Sequence, residues 1–246
     1  MPKIATFDIK LCFSGQIKEL KGTVWGYYAD PFILANDDTK ILLVAEYYSR
    51  LKRKGDIYLM ALDKALMKWR VSRLISDRKH RSYPFVYKKN DDFYIFTESI
   101  STKSMEVYSL NGKMSCYLVC SLPGFYVDPT LINRPDGLHL IYYTGFSNID
   151  GVCMDQPIEF DGQKIRCVGN PTVIGYNRPA GLIGGELVFQ ARNLSYGWGL
   201  EKNKLNASQL KIIADLQIFG FDTETSHHVH TVNGAMTWDQ ARIISI

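Results

Sequence analysis

Apolar and polar positions follow one order, repeated along the chain. A proline is followed by a nearly unbroken apolar run, as in Pro31-Phe32-Ile33-Leu34, Pro84-Phe85-Val86 and Pro129-Thr130-Leu131-Ile132. Pro179-Ala180-Gly181-Leu182 is a weaker fourth copy. A polar turn comes next: Asn36-Asp37-Asp38, Lys89-Asn90-Asp91-Asp92, Arg134-Pro135-Asp136-Gly137 and Gly184-Gly185. Such residues tolerate the left-handed conformations of tight hairpins. A second apolar run returns at Ile41–Ala45, Phe93–Phe96, Leu138–Tyr143 and Leu187–Phe189. Runs without alternation predict strands buried on both faces.

More polar segments follow each pair and predict outer strands. They are Asp56–Ala61 with Trp69–Ile75, Met105–Leu110 with Cys116–Cys120, Gly151–Met154 with Lys164–Val168, and Gly197–Leu200 with Leu210–Ala214. The four prolines lie 53, 45 and 50 residues apart. A period near 50 residues with four strands per repeat predicts propeller blades. The tail from His228 is too short for a blade, and Lys3–Phe13 is an orphan strand. Together they make a fifth blade and close the ring. The expectation is therefore all-β: a five-bladed β-propeller of four-stranded antiparallel blades, ring closed by the N-terminal strand joining the last blade, with residues 1–246 as a single domain. Only Lys64–Lys68 and Lys202–Gln209 have room for a helical turn.

Aromatic residues at 13% reinforce strands over helices. A net charge of +4 is mild. Its two basic runs, Arg50–Lys54 and Asp77–Arg81, read as solvated loops, so no nucleic-acid partner is expected. Five cysteines without CxxC spacing read as reduced, buried thiols. With no apolar signal region and no run of about 18 apolar residues, a cytoplasmic protein without a membrane span is expected.

In a blade the first strand is innermost and the second returns beside it. Residues that open the first and close the second therefore share one rim. The openers are Asp30, Tyr83, Asp128, Arg178 and, in the last blade, His228 or His230. The closers are Glu46, Glu98, Thr144 and Gln190, lying 15, 14, 15 and 11 residues after their prolines. Asp30, Glu46, Glu98 and Asp128 are the catalytic candidates, since crowded acids push one another's pKa apart into donor and acceptor. Tyr83, Arg178, Gln190, Arg192, His228 and His230 are the ligand-binding candidates. Two alternating histidines lack a third ligand, so no metal is expected, and no cofactor pattern occurs.

Several short stretches carry a family resemblance. They are Ala29–Phe32, Ala45-Glu46, Ser82–Val86, Thr97–Ser99, Asp128–Leu131, Arg178–Gly181, Gln190 with Tyr196-Gly197, and His230-Thr231 with Asn233. In series they resemble the five-bladed propeller at the N-terminus of plant glucosamine inositolphosphorylceramide transferase. Its bacterial relatives occur alone or fused to formyl- and glycosyltransferases in surface-polysaccharide gene clusters. The resemblance implies a furanosidase-like fold, a sugar or sugar-phosphate ligand, and a glycosyltransferase or formyltransferase as partner. Inverting furanosidase-like hydrolases open blade one with a base and blade three with an orienting Asp, matched by Asp30 and Asp128. Their acid near the start of blade four is replaced here by Arg178, leaving Glu98 or Glu46 to serve. Three functions stand open: a carbohydrate-binding or carbohydrate-processing propeller in surface-polysaccharide assembly, an inverting glycoside hydrolase with Asp30 as base, and a protein-interaction scaffold.

Overall fold

Five inner strands ring one axis, each lying against the next. The computed structural model describes residues 3–98, 103–112, 114–145, 151–193 and 197–245. Side chains at 191–193, 197 and 198 lie outside that description. β1 (Lys3–Phe13) and β2 (Gln16–Leu20) come first but belong to the last blade. Blade one is β3 (Gly26–Asn36), β4 (Lys40–Ser49), β5 (Lys54–Asp63) and β6 (Lys68–Ile75). Blade two is β7 (Ser82–Lys89), β8 (Asp92–Glu98), β9 (Ser104–Leu110) and β10 (Cys116–Pro123).

Blade three is β11 (Val127–Arg134), β12 (Gly137–Tyr143) and β13 (Cys153–Phe160). Its outer edge is divided between β14 (Ile165–Cys167) and β15 (Thr172–Gly175). Blade four has β16 (Arg178–Ile183), β17 (Glu186–Asn193) and β18 (Gly197–Leu200). Blade five is β19 (Val229–Val232) and β20 (Ala235–Ser245), completed by β1 and β2. Inner strand β3 lies on β7, β7 on β11, β11 on β16, β16 on β19, and β19 on β3.

Blade four departs from the four-strand expectation. Leu210–Ala214 is not a strand but part of helix α1 (Ala207–Gln217). Asn206 and Gln209 form a reciprocal capping box, and Gln209, Ile213 and Leu216 are its buried face. Blades four and five also share a sheet, because β16 and β19 pair in parallel at Gly181–Val229 and Leu182–His230.

Alternate residues of β4, the second strand of blade one, face different blades, which explains its unbroken apolar run. Along β4, Ile41, Leu43 and Ala45 pack toward Ile9 and Leu11 of blade five. Leu42 and Val44 pack toward Phe85 and Phe96 of blade two. The strand is thus buried on both faces. The basic runs are less solvated than the sequence implies. Arg81 is fully buried and paired with Glu106 at 2.5 Å and Asp77 at 3.0 Å. Truncating one partner would leave a buried charge unmatched. The five cysteines are free; Cys12 and Cys153 are buried, but Cys167 is exposed. Among the described residues no helix is long and apolar enough to cross a membrane.

Candidate functional site

The repeat's proline shapes the site. It cannot donate to the sheet ladder, so the strand bulges where it sits. Register shifts fall between Ala29 and Phe32, Ser82 and Phe85, Val127 and Thr130, and Pro179 and Leu182. In blades one to three the residue before proline takes a left-handed conformation: Asp30 (φ 49°), Tyr83 (φ 46°) and Asp128 (φ 50°). Such backbone costs about 1–2 kcal/mol per residue and is characteristic of functional sites. Blade four keeps Arg178 out of that conformation and places Gly181 there instead (φ 98°).

Two closers reach across to the next blade. The Asp128 N–H donates to Glu98 Oε2 at 2.8 Å, joining blades two and three. The Asp30 N–H donates to Asp239 Oδ2 at 3.1 Å, joining blades five and one. Asp239 is thus the fifth closer, and the sequence reading missed it. It stands opposite His228, as Gln190 stands opposite Arg178. An apolar run ending in an acid, Thr237-Trp238-Asp239, repeats Phe96-Thr97-Glu98 and was the available signal.

Charges divide into two groups. On one side His227 bridges Asp239 Oδ1 (3.1 Å from Nδ1) and Asp30 Oδ1 (3.4 Å from Nε2). Burial alone would lower the His227 pKa, but Asp239 and then Asp30 overcome it and hold the imidazole well above its ordinary value. On the other side Arg178 Nε donates to Asp128 Oδ2 at 2.6 Å and Gln190 Nε2 donates to the same oxygen at 2.9 Å. Between them lie two carboxyls that favour their protons. Burial, then Asp30 and Glu98, pushes Glu46 far up. Burial and Asp128 raise Glu98 to about 7, although Arg178 opposes them.

All four catalytic candidates therefore share this end of the propeller, together with Arg178 and Gln190. The other ligand candidates stand elsewhere. Tyr83 is fully buried, its hydroxyl 2.9 Å from Thr130 Oγ1 and accepting the Gly181 N–H at 3.1 Å. His228 is fully buried against Phe32, with ring centres 4.4 Å apart. Phe32, Tyr83, Thr130, Gly181 and His228, one from each blade, fill the axis beneath the acids. His230 accepts the Ile33 N–H through Nδ1 at 2.9 Å. Burial lowers His228 to about 4 and His230 to about 3, so both stay neutral inside the core. His227, adjacent to them in sequence, is the histidine that meets the acids. The Arg192 side chain lies outside the described residues, as do Tyr196 and the Trp198 ring.

Asp30, His227 and Asp239 could each offer one ligand atom to a cation within 4.8 Å of the others. The imidazolium already fills that role by neutralising both carboxylates. Phe7 packs edge-on to His227 at 4.8 Å and tilts on Tyr27 at 5.6 Å. The Tyr27 phenol is pushed up by burial and by Glu46, which places it on the same wall. Neither aromatic belongs to the repeat, so periodicity could not find them.

The protonation pattern fixes a pH dependence. Raised Glu98 and Glu46 bind protons in the folded chain that the unfolded chain releases above about 4.5, so they favour folding at lower pH. Raised His227 acts with the same sign above its ordinary 6.5. Lowered His228 and His230 act oppositely below 6.5 and offset the acids there. Thermal stability should stay nearly level from pH 5 to 6.5 and fall from 6.5 to 8. Glu98→Gln, melted across the same series, should shrink that fall. An identical profile would remove Glu98 from the account.

No family model matches the sequence, and no curated protein matches it. Solved structures show the fold. An exo-inulinase from Aspergillus awamori aligns at TM-score 0.51 and 10% identity, over 90% of this chain and 53% of its own. Zg3597, a family 117 glycoside hydrolase from Zobellia galactanivorans, aligns at 0.50 and 10% identity, over 82% of this chain and 74% of its own. A thermostable family-43 glycoside hydrolase aligns at 0.47 and 13% identity, over 58% of each chain. The chain thus spans little more than half of the first and third. At 10% identity the first two likenesses show a β-propeller fold and nothing about activity.

Proposed function

We propose that the propeller binds or processes a carbohydrate at the acid end of its axis, in the cytoplasmic assembly of a surface polysaccharide or glycoconjugate. The ligand is a glycan, sugar nucleotide or sugar phosphate. One observation carries this reading: five carboxyls gather at one end of the axis, Glu46 and Glu98 pushed toward their protons and Asp239 away from its own, with the partly buried His227 and Arg178 side chains among them. Proton-bearing Glu46 and Glu98 can donate to sugar oxygens, while Asp30 accepts from sugar hydroxyls. Arg178, fixed on Asp128, suits an anionic group such as a phosphate or uronate. A pure scaffold has no use for this crowding, since each buried like charge opposes the next.

A thermal-shift screen with sugar nucleotides and sugar phosphates tests the reading, because a ligand of the folded state raises the melting temperature. Arg178→Ala should then weaken the best anionic sugar about 10- to 100-fold in calorimetry, the loss expected for a charge-assisted hydrogen bond. Unchanged affinity would remove the arginine from the site. A second reading, inverting hydrolysis, is favoured by the same pairing of proton-bearing Glu46 and Glu98 with Asp30 as base. Reducing sugar released with inverted configuration, and abolished by Asp30→Asn, would select it. Binding without turnover would select the first.

A further inference from the structure

The loops at the acid end of blade one carry a feature that the site does not use. Leu51 is 83% exposed, Trp25 70% and Val24 38%. Single exposed apolar residues are ordinary, but these sit on two loops fastened together. The Arg50 N–H donates to the Trp25 carbonyl at 2.9 Å. Arg50 Nη1 donates to the Thr23 carbonyl at 2.7 Å, and Nη2 to the Ala5 carbonyl. Its guanidinium also lies over Tyr27, 5.1 Å from the ring centre. The apolar lip is therefore preorganised.

Cations surround it. Lys21, Lys52 and Arg53 are exposed on the same two loops, and Arg78 is exposed on the neighbouring one. That third loop is tied in by Gly55 N–H to His80 Nδ1 at 2.7 Å and by Arg81 N–H to the Gly55 carbonyl at 2.9 Å. Nearby carboxylates are already engaged: Asp56 is buried against Lys54 at 2.5 Å, Asp77 pairs with Arg81, and Glu19 lies 3.5 Å from Lys21. The turns at the far end of blades one and two mix Asp37-Asp38 and Asp91-Asp92 with Lys40, Lys64, Lys68 and Lys89.

We propose that this lip docks the propeller on an anionic lipid bilayer. Trp25 and Leu51 enter the headgroup boundary, and Lys21, Lys52, Arg53 and Arg78 meet the lipid phosphates. A soluble polyanion satisfies the cations but gives Leu51 and Trp25 nothing apolar to enter. The pairings Gly26–Ser49 and Ala29–Glu46 run from the lip to the acids, so docking brings the mouth of the site to the membrane surface. The proposal stands whether or not the site takes a sugar.

Co-sedimentation of the full chain with vesicles tests it. Phosphatidylcholine vesicles containing about 30 mol% phosphatidylserine should bind at least 10-fold more protein than pure phosphatidylcholine, and salt should weaken the binding. Leu51→Glu should lower partitioning about 10-fold. Lys52→Glu with Arg53→Glu should lower it further, by roughly 5-fold per charge removed. All these side chains are exposed, so the variants should melt with the wild type. Failure to bind the anionic vesicles would overturn the proposal. So would anionic-vesicle binding that Leu51→Glu leaves unchanged, which would mark a site for polyanions in general.

Discussion

Asp239→Ala should lower the melting temperature by about 10 °C or more. Asp239 is fully buried and accepts three backbone N–H groups, from Asp30 at 3.1 Å, His227 at 3.2 Å and His228 at 3.1 Å. It is also the counter-ion of His227 at 3.1 Å. Removing it leaves these donors without their acceptor and the partly buried imidazole with Asp30 alone. Breaking a buried ion pair by deleting one partner costs about 3–5 kcal/mol, and each kcal/mol shifts a chain of this size by about 2–4 °C. The Asp30 opener also loses its fastening to blade five, so ligand binding should be lost with the stability.

Asp239→Asn separates charge from shape. An amide oxygen can still accept backbone N–H groups, so the destabilisation should be clearly smaller. Without the second carboxylate, only Asp30 still opposes burial, so His227 is held up less strongly than in the wild type. Stability of this variant should therefore fall less between pH 6.5 and 8 than that of the wild type, since a less raised His227 gives up less on losing its proton. Melting of Asp239→Ala within 2 °C of wild type, or an Asn variant with the wild-type decline from pH 6.5 to 8, would remove Asp239 from this role.

Asp239 also marks how far the sequence could be read. The proline-led repeat exposed the blades, because only strands buried on both faces need such unbroken apolar runs. It also brought Asp30, Glu46, Glu98, Asp128, Arg178 and Gln190 to one rim, since opener and closer are neighbours across a hairpin. Blade five lacks the proline, so its start had no marker and His227 was passed over for its neighbours. Which of three adjacent positions meets the acids depends on the local twist, not on the period. Helix α1 was missed for a different reason. Ile212-Ile213 looked like strand, but Asn206 and Gln209 form a capping box, and Gln209, Ile213 and Leu216 recur at helical spacing. Phe7 and Tyr27 reach the site only because the ring closes, a contact no local pattern contains.

Gly181→Ala should be severely damaging, because it strikes that closure. Gly181 pairs with Val229 across the parallel seam of blades four and five. An added Cβ would lie 2.2 Å from the Val229 carbonyl and 2.7 Å from His228 Nε2. The first of these is backbone and cannot turn aside, so β16 and β19 must separate. Separation would also strain the Gly181 N–H bond to the Tyr83 hydroxyl, on which the axial packing depends. The positive φ of 98° adds strain of about 1–2 kcal/mol. Gly185→Ala isolates that strain, since Gly185 has φ 82° but open space around it. We expect Gly185→Ala to lose only a few degrees. Gly181→Ala should lose more than 10 °C or fail to accumulate as folded protein. In any folded fraction, amide exchange should quicken in β16 and β19 before blades one and two. Equal effects of the two substitutions, or uniform exchange around the ring, would mean that the seam is not the weak closure of this propeller.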